Sequence, residues 1–438
     1  MQIDNITFND LSIFHPEEEF SLFHKLNFTQ TGHGKEWLQR FLSEPFSELK
    51  EIRQTQDILK QIIQRSESWP SSITNGTIMV VERFYETVLD TIPSSANLLN
   101  VYSYHLLHGP DYSLVRYSVT HFADFVRGMW QLAMLFDAEG MPSVLHSYIN
   151  QIHHLLRHPV IKQLAALPAG TKLSRKEVIY YGHYIRYHFK SNAIELINLY
   201  GRFDAWHSMA TAIVKYDLHF PTFINSEEPV IEATSLYHIL LATPVSYNVK
   251  MDSKNHFTFL TGANMAGKST FIKAVGAGVY LAHIGMGVPA ASMRLTLFDG
   301  ILSNINVVDN LVKGESYFFN EVQRIKNTIL KINDNRKWLV LIDELFKGTN
   351  VEDAMKCSSA VIKGLIKIRS SLFILSTHLY EIGESLKVYP GISFQYFETN
   401  VKEGQLAFSY QLKEGISNDR LGYLILEREK VVELLEKL

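Results

Sequence analysis

The feature that most constrains this chain is the stretch Phe257–Ala274, which reads FTFLTGANMAGKSTFIKA. Apolar and β-prone residues lead into a loop, Gly262–Ser269, that fits the pattern G-x-x-x-x-G-K-[ST], and the residues after it suit a helix. Gly262 and Gly267 permit backbone angles and a close approach to a ligand that a Cβ would obstruct. Successive backbone N–H groups and the helix N-terminus can then face phosphate oxygens. The stretch therefore predicts a strand, a phosphate-binding loop and a helix.

The loop and the first turn of its helix supply the predicted nucleotide-binding residues. Lys268 would place its positive charge near the β- and γ-phosphates of ATP, and the Ser269 hydroxyl would bind Mg²⁺. The predicted nucleotide contacts are Gly262, Ala263, Asn264, Met265, Ala266, Gly267, Lys268, Ser269 and Thr270. A chance glycine-rich loop is the alternative, which the strand before the motif and the helix after it disfavour.

A pair of acidic residues further along the chain is expected to complete this site. Trp338–Ile342, in KWLVLIDELFKGTN, has the composition of a buried strand, and Asp343 and Glu344 follow at its carboxyl end, where ligands bind in open α/β sheets. We expect Asp343 to hold Mg²⁺ through water, and Glu344 to orient or deprotonate the water that attacks the γ-phosphate. The alternative for two adjacent carboxylates is a solvated loop. An adjacent Asp-Glu pair points to the ATP-binding-cassette branch of P-loop proteins.

A histidine follows a third strand-like run of apolar residues. Leu372–Leu375, in SLFILSTHLYEI, ends in Ser376, Thr377 and His378. A neutral imidazole at this strand end could hydrogen-bond the γ-phosphate or the attacking water. His378 is therefore a predicted catalytic residue.

A serine lies just before a helical pattern, between the phosphate loop and the acidic pair. Ser316, in KGESYFFNEVQRIKNTIL, precedes apolar residues at helical spacing, so it is expected at a helix N-terminus. The simple interpretation is an N-cap, and the alternative is an anion-binding site.

The composition indicates a soluble chain with more than one domain. Its 438 residues are too many for a single core, and 46% hydrophobic with 20% charged residues is ordinary for globular proteins. Cys357 is the only cysteine, which excludes a disulfide within the chain and a cysteine metal cluster. The net charge of −3 gives no support for nucleic-acid binding, although a local basic face is compatible with it. No apolar stretch reads as a membrane span and the N-terminus is polar, so we expect a cytoplasmic protein.

Helical periodicity dominates the first half of the sequence. The apolar spacing predicts helices over Glu36–Leu49, Ile52–Ile63, Phe122–Phe136, Ser143–Leu156 and Glu177–Val214. Few strand-like alternations interrupt these stretches. An all-α domain over residues 1–230 is therefore predicted.

The pattern changes after the proline-containing stretch HFPTFINSEEPVIEA. Short buried strands alternate with helices over residues 231–438, which predicts an α/β domain with a mixed, largely parallel sheet. The tail LEREKVVELLEKL reads as a short helix with an apolar face. That face either packs on its own domain or forms a dimer contact.

The motifs resemble those of the MutS family of DNA mismatch repair ATPases. Met265 directly after Asn264 in the phosphate loop is a hallmark of that family. Three further segments are similar to family motifs, namely Gly314-Glu315-Ser316 before an aromatic helix start, Gly348-Thr349-Asn350 after the acidic pair, and Thr377-His378. The beginning and end of the helical region are also similar to the family's core, or lever, domain.

The resemblance implies a fold and several roles. Residues 1–230 would be a lever domain similar to MutS domain III, and residues 231–438 an ABC-type P-loop ATPase similar to MutS domain V. The family's ATPases form dimers with composite sites, so Ser316 would contact the γ-phosphate bound by the partner subunit. The adenine would lie between the position of Val245, where the family has an aromatic residue, and Tyr396.

The resemblance also implies duplex DNA as a partner, bound by the helical domain. Met1 already lies at the start of the lever, so we expect the mismatch-reading and connector domains to be missing. The expected function is an ATP-driven DNA-binding protein of repair or recombination, a homodimer through its ATPase heads. The alternative is a cassette ATPase whose helical domain binds a protein or an RNA. The most basic stretch, Lys172, Arg175, Lys176, Arg186 and Lys190, is either a DNA-backbone contact or a solvated helix face.

Overall fold

The computed structural model describes residues 1–138, 140–306, 317–402, 405–417 and 430–436. Its helices are α1 (Asn5–Asp10), α2 (Leu22–Leu26), α3 (Gly32–Ser43), α4 (Leu49–Arg65), α5 (Asn75–Glu86), α6 (Leu98–Leu107), α7 (Gly109–Leu135), α8 (Ser143–Leu156), α9 (Pro159–Ala166), α10 (Arg175–His188), α11 (Lys190–Lys215), α12 (Lys268–His283), α13 (Tyr317–Ile332), α14 (Val351–Leu365), α15 (Tyr380–Leu386) and α16 (Val431–Glu436).

Its strands are β1 (Gln2–Ile3), β2 (Thr222–Phe223), β3 (Ile231–Leu236), β4 (Tyr247–Met251), β5 (Phe257–Thr261), β6 (Ser292–Leu295), β7 (Gly300–Asn304), β8 (Trp338–Asp343), β9 (Leu372–Ser376), β10 (Ile392–Lys402) and β11 (Gln405–Glu414). The chain forms two compact units. One unit comprises Leu26–Ser43 and Gln56–Val214, and the other Met1–Lys25, Glu44–Thr55 and Lys215–Leu438. We call them the helical unit and the α/β unit.

The helical unit is built around α7. The helices α5, α8, α9 and α10 pack against it. Val115, Val119, Phe122 and Val126 of α7 are buried at intervals of three or four residues, because that spacing keeps them on one face of a helix. Apolar burial along this face holds the unit together.

The predicted helices match this unit with two corrections. Ser143–Leu156 is confirmed as α8, and Ile52–Ile63 lies within α4. The prediction of one helix over Glu36–Leu49 is wrong at its end, because the helix stops at Ser43 and Pro45, which cannot donate a backbone hydrogen bond, follows. The stretch Glu177–Val214 is likewise two helices, α10 and α11, divided at Phe189.

The main sheet of the α/β unit is mixed and largely parallel, as predicted. Among the described residues it has seven strands in the order β1-β7-β8-β9-β5-β10-β11, and only the pairing of β10 with β11 is antiparallel. The strands β5, β7, β8 and β9 are buried along their whole length, as in parallel sheets covered on both faces. A second sheet has the order β2-β6-β3-β4.

The order of the strands brings three loops together. The strands β8, β9 and β5 are neighbours and parallel, so their carboxyl ends lie at one edge of the sheet. The phosphate loop follows β5, the acidic pair ends β8, and Thr377 and His378 follow β9. This edge is where ligands bind in α/β sheets of this kind.

The C-terminal part of the chain forms a short helix. The predicted tail helix is confirmed as α16, with Leu434 and Leu435 each more than half exposed. Within the described residues, no helix combines the length and the apolar character that a membrane crossing needs.

Candidate functional site

The loop after β5 has the backbone geometry of a tight phosphate cradle. The φ angles are positive at Gly262 (136°), Met265 (68°) and Gly267 (108°). The φ of Gly262 favours glycine, and a Cβ there would also lie tightly, 3.2 Å from the carbonyl oxygen of Phe397. The helix α12 then begins at Lys268. The loop N–H groups and the positive end of this helix can therefore meet an anion together.

The predicted lysine lies inside this loop. The Lys268 side chain is buried, and its Nζ donates hydrogen bonds to the carbonyl oxygens of Gly262 (2.8 Å) and Ala263 (2.9 Å). Burial lowers the pKa of the Lys268 ammonium, and the carboxylates of Glu344 and Asp343 act in the opposite direction. The loop thus holds a positive charge beside two negative ones.

Both predicted Mg²⁺ ligands are in contact. The Ser269 hydroxyl donates to one carboxylate oxygen of Asp343, and the Ser376 hydroxyl donates to the other. Asp343 is 8% exposed, and these hydrogen bonds and the nearby Lys268 ammonium compensate its buried charge. A hydroxyl and a carboxylate are the oxygen donors that Mg²⁺ prefers, so the pair fits this ion. Ser376 was not predicted, and its only sequence signal is its place at the end of β9.

Glu344 is held at the edge of the same site. Its φ is 61°, and its N–H donates to the carbonyl oxygen of Ser376 (3.0 Å). Its carboxylate lies 3.7 Å from His378 Nδ1 and 3.1 Å from Lys347 Nζ. His378 is the main cause that lowers the pKa of Glu344 to about 2; burial opposes it and Lys347 supports it. Glu344 therefore carries its negative charge at neutral pH.

A cavity of about 640 Å³ opens in front of these groups. Its lining comprises Leu241, Thr243, Val245, Tyr247, Asn264, Met265, Gly267, Lys268, Ser269, Thr270, Asp343, Glu344, Lys347 and Tyr410. Of the predicted residues that the structure describes, Gly262, Ala263, Ala266, His378 and Tyr396 are not part of this lining. Their predicted roles remain predictions. The volume is of the size that small-molecule ligands occupy.

The aromatic residues of the cavity differ from the predicted one. Tyr396, in β10, pairs with Thr261 and Lys413 in the sheet, whereas Tyr410 of β11 lines the cavity. Tyr247 also lines it, and its ring packs edge-on against Phe271 and Phe397. Sequence reasoning missed both tyrosines, because the antiparallel register of β10 and β11 that brings Tyr410 to the loop has no local sequence signal.

The serine predicted to act across a dimer, Ser316, lies outside the described residues. The helix α13 that follows it is described from Tyr317. Its role therefore stays a prediction.

The sequence was also compared with protein families and curated proteins. The family model MutS domain V matches residues 258–433. A DNA mismatch repair protein MutS from Pseudothermotoga lettingae is 30% identical over 237 residues, which are 52% of this chain and 28% of that protein. A DNA mismatch repair protein MutS from Staphylococcus aureus is 27% identical over 242 residues, 53% of this chain and 27% of that protein.

The matched region covers less than a third of these relatives. The family-model match, residues 258–433, includes the phosphate loop, the acidic pair and the Thr377-His378 strand end. The family match and the relatives, which align over about half of the chain, agree, and residues 258–433 of this chain match MutS domain V.

Proposed function

We propose that this chain is an ATP-dependent DNA-binding protein whose α/β unit is an ABC-type P-loop ATPase. The observation that carries the proposal is the contact of Ser269 with Asp343 beside the positive-φ loop and Lys268. These groups are the parts that P-loop enzymes use for phosphoryl transfer. They lie in one cavity although they come from separate segments of the chain.

Each group has a defined task in ATP hydrolysis. The loop N–H groups and Lys268 bind the phosphates, and Ser269 and Asp343 hold Mg²⁺, which neutralises charge on the phosphate oxygens. Glu344 acts on the attacking water. Its lowered pKa keeps the carboxylate charged, so that it can orient this water or remove its proton.

The similarity to MutS supports a larger assembly. Two ATPase heads pair, so that Ser316 of one subunit contacts the nucleotide of the other, and the helical part of residues 1–230 serves as a lever that closes on duplex DNA. The relatives carry the name DNA mismatch repair protein, which supports a DNA-directed role in repair or recombination. The rival function is an ATPase of this type whose helical domain binds a protein or an RNA.

The basic stretch that begins just before α10 offers the contacts that DNA would need. Lys172, Arg175 and Lys176 are exposed, whereas Arg186 donates to the carbonyl oxygen of Thr87 (2.8 Å) and is partly buried. The first three are therefore the better candidates for phosphate contacts, and Arg186 has a structural task.

Filter binding tests this function. The pure protein is titrated with homoduplex, mismatched and branched DNA, with and without ATP, at several salt concentrations. We expect binding that ATP modulates, and alanine at Lys172, Arg175 and Lys176 to lower the salt slope by up to about 3. The Lys268→Ala variant is the control, because it should bind DNA without responding to ATP. Absence of ATP-modulated binding to every DNA at moderate salt would contradict the DNA role, and an RNA or protein partner would then be sought.

A further inference from the structure

A buried carboxyl group outside the cavity holds the backbone that follows Glu344. Glu321 of α13 is 1% exposed. Its two carboxylate oxygens accept hydrogen bonds from the N–H groups of Lys347 (3.3 Å) and Gly348 (3.4 Å). It thus spans from one helix to the turn between β8 and α14.

The backbone of this turn is strained at two positions. Glu344 and Phe346 have φ angles of 61° and 60°, a region that residues with a Cβ enter at a cost. Phe346 is buried, and its ring packs on Phe318 with centroids 5.6 Å apart. Phe318 and Glu321 are three residues apart on α13 and so lie on one face. One helix face therefore fixes the turn through an apolar and a polar contact.

The turn is connected to the carboxylate that would act on water. Lys347, whose N–H is bound by Glu321, places its Nζ 3.1 Å from the Glu344 carboxylate. The same turn therefore sets both the backbone and a charge partner of Glu344.

We infer that Glu321 is a positioning residue for ATP hydrolysis: it fixes the turn at residues 346–348 and so keeps Glu344 aimed at the nucleotide cavity. The inference rests on the proposed ATPase function. Glu321 should affect the rate of hydrolysis and not the affinity for ATP, because the Glu321 side chain does not line the cavity.

Burying the Glu321 carboxylate costs free energy of desolvation, and its hydrogen bonds to the turn offset that cost. Burial raises the pKa of Glu321, and the N–H groups of Lys347, Gly348 and Phe346 act in the opposite direction. An apolar side chain would avoid that desolvation but would leave these N–H groups without their carboxylate acceptor.

The test compares Glu321→Gln with Glu384→Gln, an exposed glutamate paired with Lys387 on α15. Glutamine keeps the size of the side chain but has one acceptor oxygen instead of two. Turnover is measured per nucleotide-binding site, with the sites counted by stoichiometric ATP titration. We expect Glu321→Gln to lower kcat about tenfold or more and to leave the affinity for ATP within about twofold. Glu384→Gln should match the wild type.

Hydrogen–deuterium exchange of the peptide covering residues 345–350 gives a readout without turnover. It should become faster in Glu321→Gln and remain unchanged in Glu384→Gln. Unchanged exchange, an unchanged kcat, or a loss of turnover explained entirely by lost binding sites would overturn the inference. A wild-type protein without ATPase activity would instead refute the proposed function.

A second variant covers the case in which Glu321→Gln does not fold. Lys347→Met changes a side chain that is 38% exposed and removes the charge partner of Glu344. Turnover at saturating ATP should fall, and turnover equal to the wild type would contradict a link between the turn and Glu344.

Discussion

The hydroxyl of Ser269 donates a hydrogen bond to the carboxylate of Asp343, although 74 positions separate the two residues. The contact joins the first turn of α12 to the end of β8. Ser376, at the end of β9, binds the other oxygen of the same carboxylate. Asp343 is thereby fixed from both sides at the edge of the sheet where the phosphate loop lies.

This arrangement predicts that Asp343→Asn loses the Mg²⁺-dependent part of nucleotide binding. An amide nitrogen cannot accept a hydrogen bond from a hydroxyl and is a poor cation ligand. We expect ATP affinity in Mg²⁺ to fall about tenfold or more, and affinity in excess chelator to equal the wild type. Isothermal titration under both conditions measures this. Lys268→Ala is the matched comparison, because it should weaken binding under both. A variant that keeps its full response to Mg²⁺ would rule out Asp343 as a ligand.

The phosphate loop and the acidic pair could be predicted because their signals are local. Glycines, a lysine and a hydroxyl follow one another in Gly262–Ser269, and Asp343 and Glu344 end a buried strand. The strand-end rule then places both at one edge of a parallel sheet. No knowledge of distant pairing is needed for these residues.

The remaining features depend on contacts between distant segments. The strand β1 has two residues, and Gln2 pairs with Gly300 in the main sheet. A strand of that length has no periodicity, so the N-terminal residues were assigned to the helical region by sequence alone. Ser376 and Tyr410 were missed for the same reason, since a serine or a tyrosine in a strand is ordinary and only pairing gives it a role.

For Glu344, we predict that Glu344→Gln retains ATP and loses hydrolysis by several orders of magnitude. Glutamine preserves the size of the side chain but removes the charge that orients the attacking water. Phosphate release at saturating ATP, together with direct nucleotide binding, separates the two effects. Turnover equal to the wild type would remove Glu344 from the catalytic role.

We predict that Tyr410 of β11, and not Tyr396 of β10, stacks on the adenine. Tyr410 lines the cavity and lies 3.4 Å from the position of a Cβ on Gly267, so Tyr410→Leu should weaken ATP binding up to about tenfold through lost stacking. Tyr396→Leu, the matched control, should have little effect. Fluorescent-nucleotide titration compares the two. The opposite result would restore Tyr396 to the role that the family resemblance implies.

Action across a dimer is predicted for Ser316. Subunits carrying Ser316→Ala or Lys268→Ala should each be inactive as homodimers, since every composite site lacks one component. A mixture should recover about one working site per heterodimer, because one site then combines intact Lys268 with intact Ser316. ATPase assays of mixed and separate variants measure this. If mixing restores no activity, Ser316 does not act in trans.

A buried histidine gives the fold a pH dependence. His283 in α12 is fully buried; its Nδ1 lies 3.1 Å from the carbonyl oxygen of Phe46, and its Nε2 accepts from the N–H of Phe298 (3.2 Å). A neutral ring with its proton on Nδ1 satisfies both contacts, whereas a protonated ring has no acceptor for Phe298. Burial is the main cause that lowers the pKa of His283 to about 4.

Acid destabilises the fold through His283, because the unfolded chain binds the proton more tightly. Between the unfolded pKa of 6.5 and the folded value of about 4, the unfolded chain binds more protons, so the free energy of unfolding falls as the pH drops through this window. Across this window, protonation of His283 in the unfolded chain lowers the free energy of unfolding by on the order of 3 kcal/mol. Burial also lowers the pKa values of His207 and His238 to about 4, so these two residues add to the pH dependence.

Urea unfolding at a series of pH values measures this dependence. His283→Gln should be less stable than the wild type near neutral pH and should lose less stability on acidification, because one titrating group is gone. His154→Gln, at an exposed position on α8, should keep the wild-type slope. A wild-type profile that stays flat through the window, or an unchanged slope in His283→Gln, would show that the His283 ring does not titrate in this way.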